Sequence, residues 1–74
     1  MDLGITINEK IRHGKPIIKG TRITVEEVLG ALAGGMTFDE IEREYGVGKK
    51  GIRDAIRYAG AWIRGEEVRA FVRT

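Results

Sequence analysis

Residues 37–64 read TFDEIEREYGVGKKGIRDAIRYAGAWIR. Thr37 followed by Glu40 is a capping box, in which each side chain can satisfy the other's backbone N–H at a helix start; Met36 and Ile41 flank it as a staple. The pattern predicts a helix over 38–45, closed by Gly46. After Val47 and Gly48, helical periodicity resumes from Lys49 to Arg64 and predicts the longest helix of the chain. Two helices, a glycine turn between them and apolar residues on both sides (Ile41, Tyr45, Val47, Ile52, Ala55) meet the needs of a helix-turn-helix. Glu42 departs from this pattern, because a small residue at its position commonly allows the helices to approach. An ordinary helical hairpin has the same core needs, so the patterning fits both.

The faces of the long helix separate by chemistry. At 100° per residue, Ile52, Ala55, Ile56, Ala59, Trp62 and Ile63 fall within an arc of roughly 120°, the expected core face. Lys49, Arg53, Arg57 and Arg64 fall within roughly 80° of one another on another side, with Lys50 beside them. A helix lying in the major groove would offer Lys49, Lys50 and Arg53 to base edges or phosphates, with Arg57 reaching the backbone. Arg53 is the candidate base reader, since a guanidinium can bond guanine bidentately while lysine acts as a point charge. The alternative is that these charges only solvate an outer face.

Upstream, Thr24 and Glu27 form a second capping box with Ile23 and Val28 as staple, and predict a helix over 25–34 ended by Gly34-Gly35. Val25, Val28, Leu29, Leu32 and Ala33 are its expected core side. Leu3, Ile5 and Ile7 alternate with polar or small residues, which predicts a strand over 3–7. Between them Gly14, Pro16 and Gly20 surround Ile17 and Ile18, a turn and a short extended piece. Lys15, Lys19 and Arg22 gather there; Lys19 and Arg22 are candidates for phosphate contact, against a simple rigid turn. The stretch lacks the upstream glycine and following hydroxyl of a phosphate-binding loop. His13 reads as a turn residue. Residues 66–73 carry Val68, Phe71 and Val72 among charges and fit either a short helix or a strand. The fold expected is mostly α: a three-helix bundle with a helix-turn-helix and a short N-terminal β element. It is expected to be a single domain over 1–74, divided into a β element and turn (3–23), a helical core (24–64) and a tail (65–74).

Composition narrows the function. With no cysteine, no serine and a single histidine, the usual nucleophile and base pairings cannot be assembled, and no enzyme, metal or cofactor is expected. A core built from 74 residues is marginal alone, which favours a homodimer, with Leu3, Ile5 and Ile7 as its expected pairing residues. Charge is segregated: five basic and two acidic groups in 1–25, one and six in 26–44, seven and three in 45–74. Such asymmetry suits an oriented contact with a polyanion. Asp39, Glu40, Glu42 and Glu44 are expected to be solvated or to meet a basic partner. No apolar run is long enough to span a bilayer and no signal-peptide pattern opens the chain, so a cytoplasmic protein is expected.

Three elements carry a family resemblance: Gly14-Lys15-Pro16, Gly20-Thr21-Arg22-Ile23 and Gly35-Met36-Thr37. Over roughly residues 5–60 the chain resembles the domain-of-unknown-function family 433, small antitoxin-like proteins. The resemblance implies a helix-turn-helix behind an N-terminal β element. It also implies a nuclease-like toxin of the PIN type as partner, neutralised by direct contact, and repression of the protein's own operon by a dimer bound to double-stranded DNA. It supplies no catalytic residues. Gly46-Val47-Gly48 with Lys49-Lys50 departs from the longer, acidic turn of relatives, which favours DNA locally. The tail lies outside the resemblance, and Val68, Phe71 and Val72 are assigned to partner contact. A pure protein-interaction module that never touches DNA is the rival reading.

Overall fold

The computed structural model describes residues 4–65 and the backbone of residues 71–73. In chain order the elements are β1 (Ile5–Asn8), one 3-10 turn (Arg12–Gly14), β2 (Ile17–Ile18), α1 (Val25–Ala33), α2 (Phe38–Tyr45), α3 (Lys49–Arg64) and β3 (Phe71–Arg73). Three helices and a short N-terminal β element are thus present, as the sequence predicts. The helix starts follow from local chemistry. Thr24 Oγ1 accepts from the Glu27 amide at 3.0 Å while Glu27 Oε1 accepts from the Thr24 amide at 2.9 Å. Thr37 and Glu40 repeat the arrangement at 3.1 and 2.8 Å. Gly46 ends α2 in the left-handed conformation at φ 72°, which a residue without Cβ adopts freely. α2 and α3 match their expected bounds; α1 stops at Ala33, one residue early, because Gly34 serves as its cap.

The strands form a sheet ordered β2-β1-β3. β1 and β2 are antiparallel with Ile5 opposite Ile18, and β1 and β3 are parallel with Thr6 opposite Phe71. Part of the tail, whose type the sequence left open, is therefore strand. This topology corrects the expected pairing role of the first strand, which runs over 5–8 rather than 3–7. β1 has a neighbour on each side, so it offers no free edge for a second subunit. Ile5 is fully buried in the chain's own core, and Ile7 is half-buried. Leu3 lies outside the described residues.

The core gathers Ile5 and Ile18 from the sheet, Val25, Val28 and Ala31 from α1, Ile41 from α2, Val47 from the turn, and Ile52, Ala55 and Tyr58 from α3. Of the residues expected to join α2 to α3, all but Tyr45 are buried; Tyr45 is on the surface. On α1, Ala31 is buried, Leu29 and Leu32 are half-buried and Ala33 is exposed. On α3 the expected face is displaced. Asp54, Tyr58 and Ala61 are buried, while Ile56, Trp62 and Ile63 are exposed. The buried arc is rotated about 70° from the one hydropathy marks, because α3 packs against both the sheet and α1 through its Asp54–Tyr58–Ala61 side.

Gly51 explains how the sheet reaches α3. A Cβ there would lie 2.8 Å from Ile18 Cγ2 and 2.9 Å from Val47 Cγ1. Gly51→Ala overpacks this junction at about 1–3 kcal/mol, which the ~1 kcal/mol gain in helix propensity only partly offsets. The expected net loss is about 1 kcal/mol, read as a lower urea midpoint with unchanged slope.

Candidate functional site

The solvent side of α3 brings together Lys49, Lys50, Arg53 and Arg57, all exposed. They differ in what holds them. Lys49 is clamped onto α2, with Nζ 2.7 Å from Asp39 Oδ1 and 3.2 Å from Glu42 Oε1. Those carboxylates raise the lysine's pKa, the Asp39 hydrogen bond first and Glu42 next, and Lys49 in turn lowers that of Asp39. Lys49 is fully charged but locally neutralised, so it is less available to a polyanion than the sequence implies. Two of the four carboxylates expected to face water are thereby engaged with α3, and Glu40 is engaged in its cap.

Asp54 organises the next turn. Its side chain is 6 % exposed; Oδ2 lies 2.9 Å from Lys50 Nζ and Oδ1 3.5 Å from Arg57 Nη1. Gly4, at φ 76°, packs directly on this carboxylate, where any side chain would run into it. Sequence reading missed Asp54 as a site residue. The signal was present, since a carboxylate flanked by cations at i−4 and i+3 on a helix is placed to meet both. Arg53 stands between these pairs. Among the described residues no carboxylate pairs with it, and its guanidinium faces solvent.

Lys19 follows Ile18, the residue that packs on Gly51, and its amide donates to the Gly4 carbonyl at 2.8 Å. It is carried to the N-terminal half of α3. Arg22 is not; its carbonyl accepts from Arg12 Nη1 at 2.9 Å, and that guanidinium also bonds Glu27 Oε1 at 2.8 Å, so Arg22 sits over the start of α1. His13 is an exposed turn residue at φ 59°. Val68 lies outside the described residues, as do the side chains of Phe71 and Val72, whose backbone pairs with β1. No group of side chains suited to holding a metal ion occurs among the described residues, and none of their helices is long and apolar enough to cross a membrane.

A second feature occupies the other side of α3. Between its C-terminal half and α1 runs an open cleft of about 710 Å³, lined by Val25, Leu29, Ala33, Tyr58, Trp62 and Ile63 among others. Trp62 meets Tyr58 edge to face at 6.5 Å between ring centroids. Trp62 and Ile63 belong to the apolar arc that the sequence assigns to the core, while Tyr58, outside that arc, is buried.

The acidic caps make stability depend on pH. Backbone hydrogen bonds from Thr24 and Thr37, as the leading cause, hold Glu27 and Glu40 below their ordinary pKa, and Lys49 does the same to Asp39. A depressed folded pKa contributes stability above the unfolded value and loses it as pH falls through the folded one. The thermal midpoint is therefore expected to fall below about pH 4. Replacing Glu27 and Glu40 by Gln, which keeps an acceptor in each box, should flatten that decline.

A family model described as "Protein of unknown function (DUF433)" matches residues 5–59. The chain is also similar to a Mycobacterium tuberculosis protein named "Putative antitoxin VapB45", 33% identical over 55 residues that make up 74% of this chain and 23% of that protein. The chain thus spans less than a quarter of that relative's length. No solved structure matches it.

Proposed function

The chain belongs to the DUF433 family, and from the geometry of α3 we propose that it is an antitoxin-type regulator rather than an enzyme. In this reading it is a cytoplasmic homodimer that binds double-stranded DNA through α2 and α3 as a helix-turn-helix and neutralises a PIN-type toxin by direct contact. The antitoxin assignment is supported by the similarity to the mycobacterial protein. The DNA reading is carried by one observation: Arg53, exposed near the start of α3, has no carboxylate partner among the described residues and stands between Lys50 and Arg57. Arg53 reads a base edge, Lys50, Arg57 and Lys19 hold phosphates, and Lys49 chiefly fixes α3 to α2.

The test is binding to the DNA upstream of the protein's own reading frame at several salt concentrations. With about three phosphates held by each subunit, and so about six by the homodimer, log K should fall against log salt with a slope of about −5. Affinity independent of salt contradicts the reading. The apolar cleft favours a second reading, a protein-interaction module without DNA. A gel shift with the promoter fragment separates the two: the first gives a complex that Arg53→Ala weakens, while the second captures a partner protein and gives no promoter complex.

A further inference from the structure

Asp54 is the one carboxylate on α3, and its side chain is almost wholly buried. The cations one turn before it and one turn after it stay in water: the Lys50 side chain is 82% exposed and that of Arg57 60%. The acid thus lies beneath the two cations and is not itself part of the outer surface. The count of charges sets this group apart from Lys49. There one ammonium meets two carboxylates, Asp39 and Glu42; here two cations share one carboxylate, so a net positive charge is left over and held in place. Resting on the DNA reading of α3, we propose that Asp54 is a positioning residue. It sets Lys50 and Arg57 at fixed points beside Arg53, and so lets the protein tell its own operator from other DNA.

At 100° per residue, Lys50 and Arg57 both lie between Asp54 and Arg53 around α3, roughly 40–60° from each. Drawn towards Asp54, they leave the guanidinium of Arg53 clear. Lysine and arginine lose rotamer freedom when they settle on phosphates, and a pair already ordered by a carboxylate loses less. The same carboxylate is tied to the sheet. Gly4 packs on it with no room for a side chain, and the Gly4 carbonyl accepts from the Lys19 amide at 2.8 Å. Lys19, Lys50 and Arg57, the three cations assigned to phosphates, are therefore registered by one buried junction. Phosphate contacts carry no base identity of their own, but they fix the register in which a base reader meets its base. Asp54 acts only through the cations it holds.

Fluorescence anisotropy at one salt concentration tests this with two duplexes of equal length and composition: the DNA upstream of the reading frame and a scrambled version of it. Asp54→Asn keeps the shape and an acceptor oxygen but removes the charge. It should weaken binding to the upstream duplex about tenfold. Binding to the scrambled duplex should hold or tighten, because each subunit has lost a negative charge. A variant that merely loosened the fold would weaken both alike. The free wild-type chain supplies a second measurement that needs no variant: the Arg57 Nε–H should show a higher NMR order parameter than that of Arg53. A wild-type chain with no preference for the upstream duplex overturns the DNA reading and this inference with it. A preference that Asp54→Asn leaves unchanged, even at lower affinity, overturns the role of Asp54 alone, as does an Arg57 side chain as mobile as that of Arg53.

Discussion

Ile52→Ala should lower the unfolding free energy by about 2–5 kcal/mol, the range for removing a fully buried large aliphatic side chain. Ile52 is completely buried where α3 meets the rest of the core. A chain of 74 residues has a total stability of roughly 4–11 kcal/mol at the usual value per residue. The substitution therefore removes a large share of it, and urea unfolding should show a midpoint shifted sharply downward. Ile63→Ala, on the same helix and the same apolar arc by hydropathy, should change the monomer's stability by no more than about 0.5 kcal/mol. Equal effects at the two positions would show that the burial described for α3 is wrong.

Arg53→Ala should weaken binding to the operator by about 1–3 kcal/mol, or roughly 5- to 150-fold, and relax specificity at the base pair it reads. Arg53→Lys should keep the salt slope but lose discrimination, because ammonium retains the charge without the bidentate fork. Lys49→Ala should matter less for DNA, since Asp39 and Glu42 already hold that cation. An effect of Lys49→Ala larger than that of Arg53→Ala in a titration against the same fragment would invert the proposed roles.

The helices were legible in the sequence because their signals are local. Thr24 with Glu27, Thr37 with Glu40, and Gly46 each fix a boundary through hydrogen bonds or a backbone conformation confined to one turn. Which side of α3 is buried was not legible, because it depends on how distant elements approach. Hydropathy places Ile56, Trp62 and Ile63 inside and Asp54 outside; packing by α1, β2 and Gly4 does the reverse. Lys49 shows the same limit. Its charge is evident in the sequence, but the turn at Gly46–Gly48 folds α2 back so that Asp39 and Glu42 reach it. The parallel pairing of β3 with β1 likewise joins the two ends of the chain, and no local pattern reports it.

Amide chemical shifts of the labelled protein titrated with its upstream DNA decide whether the N-terminal half of α3 is the surface that binds. Perturbations are expected to concentrate at Lys49–Arg57 and around Lys19, with Leu29, Ala33, Trp62 and Ile63 little changed. Shifts centred on the α1/α3 cleft, or none along the N-terminal half of α3, would contradict it.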